Sequence, residues 1–279
     1  MKRKDLLPRI ISGVIYIALI FFGTTGHPWF FMGLMAAFMG FCLYEYFSMT
    51  ELKSKLHWVL GLTGAALIFY YFSDYLLGQY SVFTLQSLSF AGPVLFIMAV
   101  YTILFSTREL YVDFGKATVG VIYIAVPFAL ALTIPDTSYV LGKKVISPEI
   151  FYIFLLIWVS DTLAYVAGSL FGKHPFAPKI SGKKTWEGAI GGFVFTVLSG
   201  YLIQTYIFPE ASYNWLVIGL IVAFFAPIGD LVESKLKRSF NTKDSGKLIP
   251  GHGGFLDRLD SFIFAVPMVY LYILLNSVL

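Results

Sequence analysis

Nine stretches of this chain are apolar enough and long enough to lie across a bilayer, and that limits what it can fold into. A bilayer-crossing helix needs about 20 mainly apolar residues, fewer where the membrane thins. The stretches are Ile10–Phe22, Trp29–Phe47, Leu56–Phe72, Leu88–Phe105, Ala117–Ile134, Glu149–Leu170, Gly188–Phe208, Tyr213–Leu231 and Leu259–Val278. The first is short and follows Lys2, Arg3 and Lys4, as the apolar part of a signal peptide would. No small-x-small cleavage site follows it, so it is read as a retained span. Of the 279 residues 58% are hydrophobic and 13% charged, where soluble domains carry roughly 25% charged residues. A soluble enzyme, a disordered linker, a disulfide scaffold and a coiled coil are thereby excluded. A single cysteine, Cys42, rules out an intramolecular disulfide. The expected fold is an all-α polytopic integral membrane protein with about nine transmembrane helices.

The basic residues orient it. With nine spans, the side holding the N-terminus receives 18 of the 20 Lys and Arg residues, and the other side only Lys143 and Lys144. Lys and Arg are retained in the cytoplasm, which predicts a cytoplasmic N-terminus and a C-terminus outside. The halves differ in character. Residues 1–147 read as a scaffold of about five helices. Residues 148–279 read as the catalytic part, about four helices with two cytoplasmic polar loops.

Ionisable groups within spans are costly and tend to face a wet or cationic cavity. Asp161 lies within the sixth span, with Tyr165 and Ser169 on its face. Glu45 lies late in the second span and reads as a carboxylate reaching the interface or pairing with a lysine. Asp230 closes Pro227-Ile228-Gly229-Asp230, where a missing donor and a glycine predict local unwinding.

The most informative stretch, Ser234–Asp260, holds a basic cluster, a polar Gly/Ser/Pro loop, a His-Gly-Gly turn and Asp257-Arg258-x-Asp260 opening the last helix. Asp257 and Asp260, spaced i, i+3, share a helix face. Together with Asp230 they can point at one hard cation, and an all-oxygen set suits Mg²⁺ bridging to phosphates. The same two aspartates are also ordinary residues for a helix start. His252 can bind a phosphate or hydrogen-bond its own loop.

A second basic cluster, Lys179 to Gly188, contains Gly182-Lys183. A nucleotide-binding P-loop would need Gly at 177 and Ser or Thr at 184, with a preceding strand. Ala177 and Lys184 stand there instead, and a loop is expected. Backbone amides and ammonium groups at a helix start still make an anion site, or the loop rests on anionic headgroups. Gly188, Gly192, Thr196 and Gly200 recur every fourth residue, a stripe for close helix packing that also suggests a homodimer. No Cys/His metal cluster, HExxH, GxSxG or Rossmann glycine pattern is present. Basic residues interleaved with carboxylates at a membrane surface give no nucleic-acid partner.

Ser234, Lys237, Arg238, Lys243, Asp244, His252, Gly253, Gly254, Asp257, Arg258 and Asp260 together resemble the signature of the phosphatidate cytidylyltransferase (CDP-diacylglycerol synthase) family. Lys183-Lys184-Thr185-Trp186-Glu187-Gly188 is similar to a second recurrent segment of that family. The resemblance implies a Mg²⁺-dependent membrane enzyme of phospholipid biosynthesis joining CTP to phosphatidate, with CDP-diacylglycerol and pyrophosphate as products. It implies an active site on the cytoplasmic side of the cell membrane, lipid entering from the inner leaflet, and a second cation, monovalent among the choices, as an option. On this reading Asp230, Asp257 and Asp260 hold Mg²⁺, with Asp161 lining the cavity. Lys183, Lys184, Lys237, Arg238, Lys243 and Arg258 receive phosphates, next to Thr185. His252, Gly253 and Gly254 shape the triphosphate turn, and Asp244 holds the cytidine or a lysine. The rivals are a CTP-using lipid kinase, which would release CDP, and an ion or solute transporter. Against the transporter, the polar residues crowd one membrane face. A CDP-alcohol phosphatidyltransferase is disfavoured because Asp-Gly-x-x-Ala-Arg is absent.

Overall fold

The structure, a computed structural model, describes residues 6–77, 104, 113–135, 137–140, 143–177, 181–249 and 253–278. Side chains are described at these positions except 6–11, 74, 75, 77, 137–140, 143, 144 and 181–183. In chain order the helices are α1 (Leu6–Thr24), α2 (Pro28–Met49), α3 (Lys55–Leu77), α4 (Asp113–Ala131, with a π-helical turn at Val121–Ala125), α5 (Glu149–Phe171), α6 (Trp186–Tyr206), α7 (Trp215–Ser239) and α8 (Leu256–Val278). Among the described residues seven helices are long and apolar enough to cross a membrane, and α1 contributes a shorter apolar run, Ser12–Thr24. The expected span Leu88–Phe105 lies outside the described residues apart from Leu104. The chain is a mostly helical polytopic membrane protein.

It is not wholly helical. Two antiparallel hairpins interrupt the helices, β1 (Thr137–Val140) with β2 (Lys143–Ile146) and β3 (Pro175–Ala177) with β4 (Ser181–Thr185). The second corrects the expected loop, because a strand carrying Gly182, Lys183 and Lys184 runs straight into α6. Thr185 caps that helix, its Oγ1 accepting from Gly188 N at 3.2 Å. His174 Nδ1 and Glu187 Oε1, 2.6 Å apart, tie the base of the hairpin to the first turn of α6.

The glycine stripe sets how closely the last four helices approach. A Cβ on Gly188 would lie 2.7 Å from Ala164 O, and one on Gly192 2.8 Å from Ser160 O, both in α5. One on Gly200 would lie 2.6 Å from Trp215 O at the start of α7. Small residues let backbones meet where lipid gives no hydrophobic drive. The stripe is therefore consumed inside the chain and lends no support to a homodimer. Outward residues of α6 such as Ile190, Val194 and Tyr201 are each more than half exposed, as a lipid-facing surface requires. The core lies between the two halves, where Phe262 of α8 stacks on Phe154 of α5 at 4.4 Å and meets Phe128 of α4 at 5.6 Å.

The unwinding expected at Pro227 does not occur. Helix α7 runs unbroken from Trp215 to Ser239, and side chains of neighbouring elements add hydrogen bonds to two of its carbonyls. Ser261 Oγ donates to Ala226 O at 3.1 Å and Lys184 Nζ to Pro227 O at 3.4 Å. Gly229 serves the crossing of α7 and α8, since a Cβ there would lie 2.6 Å from Asp260 O.

Candidate active site

Where α7 and α8 cross, three carboxylates converge. Asp230 and Glu233, spaced i, i+3, share one face of α7, and Asp260 enters from the first turns of α8. Each offers an oxygen, and the three oxygens lie within 4.8 Å of one another. Glu233 and Asp260 are buried, Asp230 half-buried. Carboxylates so close repel one another and are stable as anions only beside positive charge. Two lysines supply part of it. Lys184 Nζ sits 2.6 Å from Asp230 Oδ2, and Lys237 Nζ 2.5 Å from Glu233 Oε2. Glu233 Oε1, also buried, has no hydrogen-bond partner among the described residues. An unpartnered acceptor within an all-oxygen set fits a hard divalent cation, which prefers oxygen ligands and keeps several waters.

Asp257 adjoins these three, sharing Lys237 with Glu233. Its Oδ1 takes Lys237 Nζ at 2.7 Å, and its Oδ2 accepts from Ser245 N at 3.1 Å and Gly254 N at 2.9 Å. Both oxygens are thus engaged in holding the loop and Lys237. Gly253 reaches a φ of +88°, which favours glycine, and Ile249 N donates to its carbonyl at 2.9 Å. Arg238, Lys243, Asp244 and Arg258 are exposed around this loop. Arg238 Nη1 donates to Thr242 O at 3.2 Å, and the Asp244 carbonyl accepts from Thr242 Oγ1 at 2.8 Å. Tyr16 Oη of α1 approaches Arg258 O at 3.4 Å. His252 and the side chain of Lys183 lie outside the described residues.

Beside the acidic group opens a cleft of about 360 Å³ between α5, α6 and α7. Asp161, Lys184, Thr185 and Asp230 supply its polar wall, and Tyr165, Phe176 and Pro227 line it with Gly188 and Gly192. The structure thus gathers Asp161, Lys184, Thr185 and Asp230 on one cleft, with Asp260 behind Asp230. It sets Lys237, Asp257 and Gly254 in an adjoining network. A polyanion entering the cleft would meet Lys184 first, beside carboxylates able to share a cation.

One residue escaped the sequence reading and another was given the wrong role. Glu233 was marked by its spacing, since Asp230-x-x-Glu233-x-x-x-Lys237 is one helical stripe that repeats the i, i+3 logic applied to Asp257 and Asp260. Glu45 neither reaches the interface nor pairs with a lysine; it is buried, and its Oε2 accepts from Ser245 Oγ and Leu256 N. No local signal ties position 45 to a loop 200 residues away.

The pattern of the cytidylyltransferase family matches residues 7–276. A phosphatidate cytidylyltransferase of Bacillus subtilis (strain 168) is 34% identical over 278 residues, covering 98% of this chain and 99% of its own. The protein of that name from Staphylococcus aureus (strain COL) is 40% identical over 177 residues, 62% of this chain and 64% of its own. One from Staphylococcus haemolyticus (strain JCSC1435) is 37% identical over 177 residues. A match that begins in α1 and ends inside α8, taking in the carboxylates, both lysines and the loop between them, makes this chain a member of the cytidylyltransferase family.

Proposed function

We propose that the chain transfers the cytidylyl group of CTP to phosphatidate, giving CDP-diacylglycerol and pyrophosphate. What carries the reading is a three-carboxylate group flanked by two lysines, in a chain similar along nearly its whole length to a phosphatidate cytidylyltransferase. An oxygen of the phosphatidate monoester attacks the α-phosphorus of CTP, a new P–O bond forms, the bond from α-phosphorus to the bridging oxygen breaks, and pyrophosphate leaves. A phosphomonoester with a second pKa near 6 is largely dianionic at pH 7, so no protein nucleophile or strong base is required. The work left to the protein is to align two polyanions and offset the charge that builds on the leaving group.

Asp230, Glu233 and Asp260 would hold Mg²⁺, which when bound offsets phosphate charge and orients the triphosphate. Lys184 lies at the cleft wall, poised to receive a phosphate of either substrate. Lys237 is held by Glu233 and Asp257 in the orientation its role needs. Lys183, Arg238, Lys243 and Arg258 supply the surrounding positive field, and His252 with Gly253 and Gly254 the turn over the triphosphate. Asp161 keeps the cleft wall polar, so that a headgroup is accepted there and acyl chains are left to the bilayer. Nine spans, a cytoplasmic N-terminus and an outside C-terminus put this machinery on the cytoplasmic face, where CTP is found. Residues 1–147 then act as scaffold and 148–279 as the catalytic region.

Purified protein given labelled CTP, phosphatidate and Mg²⁺ is expected to yield CDP-diacylglycerol and pyrophosphate in equal amounts. Release of CDP with a phosphorylated lipid, or solute flux without turnover, would overturn the assignment.

A further inference from the structure

One buried carboxylate has no part in the reaction as drawn. Glu45 belongs to α2, in the first half of the chain, and is 1% exposed. Its Oε2 accepts from Ser245 Oγ at 3.0 Å and from Leu256 N at 2.9 Å, so one oxygen clasps both ends of the segment between α7 and α8. Its Oε1 is buried without a hydrogen-bond partner among the described residues. The segment is shaped around this group, because a Cβ at Gly246 or Gly254 would run into the Glu45 carboxylate. One turn earlier on α2, Phe41 stacks on Phe255 at 4.6 Å with an interplanar angle of 18°. Helix α2 therefore offers the segment a floor, one carboxylate and one aromatic ring.

The floor connects to the acidic group by short steps. Ser245 Oγ, bound to Glu45, accepts from Asp257 N at 3.3 Å, and Ser245 N donates to Asp257 Oδ2 at 3.1 Å. Asp257 Oδ1 holds Lys237, and Lys237 holds Glu233. We infer that Glu45 is a positioning residue for nucleotidyl transfer, fixing the segment that aims Asp257 at Lys237 and so sets Lys237 against Glu233. It touches neither substrate and acts through Ser245 and Asp257. The inference rests on the function proposed above, and it commits the first half of the chain to the geometry of the site.

The test compares Glu45→Ala and Ser245→Ala with the unaltered protein, purified in detergent. Lys247 is exposed within the segment and Lys53 is exposed outside it, after α2. In Glu45→Ala, trypsin cleavage after Lys247 should quicken at least tenfold with cleavage after Lys53 unchanged, and the Mg²⁺ concentration for half-maximal turnover should rise at least fivefold. Ser245→Ala removes the same link from the other side and should shift the Mg²⁺ dependence in the same direction. The double variant should be no worse than the poorer single one, as expected of residues acting through one contact. Wild-type cleavage after Lys247 together with a wild-type Mg²⁺ requirement in Glu45→Ala would overturn the proposal. If Glu45→Ala does not fold, an unshifted Mg²⁺ requirement in Ser245→Ala overturns it by itself. A wild-type protein that makes no CDP-diacylglycerol refutes the function instead, and the cleavage rates still decide whether Glu45 holds the segment.

Discussion

A carboxylate shut away from solvent persists only beside something that offsets its charge, and Glu233 has such a partner on one oxygen alone. With Asp230 and Asp260 close by, the group without a bound cation is under repulsion. Glu233→Gln relieves that repulsion and removes a ligand. In the absence of Mg²⁺ the variant should melt no lower than wild type, while turnover falls by on the order of 10²-fold or more. Thermal melts in detergent and product formation check the two halves of this statement, and normal turnover would remove Glu233 from the site. Lys184→Ala should raise KM for a phosphorylated substrate by about tenfold, the loss of one charge-assisted contact. Steady-state kinetics with CTP and phosphatidate varied in turn would reveal it, and unchanged constants for both would exclude Lys184.

At the scale of elements, the crossing of α7 and α8 makes the site, and Gly229 makes the crossing. Gly229→Leu would drive a side chain into Asp260 O, Phe264 Cβ and Ser261 Cα. Overpacking of this kind costs about 1–3 kcal/mol, and the displaced Asp260 should cost more in turnover than the melt suggests. A variant that keeps full activity would show that the helices need not meet so closely. The same crossing explains what was legible beforehand. The apolar spans were readable because hydrocarbon demands them, and α5, expected at Glu149–Leu170, forms at Glu149–Phe171. The apolar span expected at Tyr213–Leu231 is part of α7, which runs on to Ser239. Hydropathy ends where charges begin, whereas a helix ends where its backbone loses partners, and those are different places. The two further turns carry Glu233 and Lys237. The loop between α7 and α8 was readable only as composition, since its shape depends on Glu45.

For the whole molecule, the expectation that nine spans place 18 of 20 basic residues on one side is a topological statement that chemistry can check. The native Cys42 is buried, so an introduced thiol reports by itself. In right-side-out vesicles, Lys143→Cys should react with a membrane-impermeant thiol reagent and Lys243→Cys should react only after permeabilisation. The reverse pattern would invert the topology. Removing divalent ions with a chelator should abolish turnover reversibly, and turnover that survives would leave the three carboxylates without their assigned work. Residues 1–147 and 148–279 are joined by direct contacts, Phe128 on Phe262 and Glu45 on Ser245.

The clasp at Glu45 bears on how such a protein can vary over evolutionary time. A hybrid gene joining the opening helices of one relative to the closing helices of another would inherit position 45 from one parent and positions 246 and 254 from the other. Unless the donors agree there, an added methyl group meets a carboxylate, or a carboxylate loses the amide it was shaped to receive. Crossovers between 45 and 246 are therefore expected to fail more often in parents that differ at these three sites than in parents that match there.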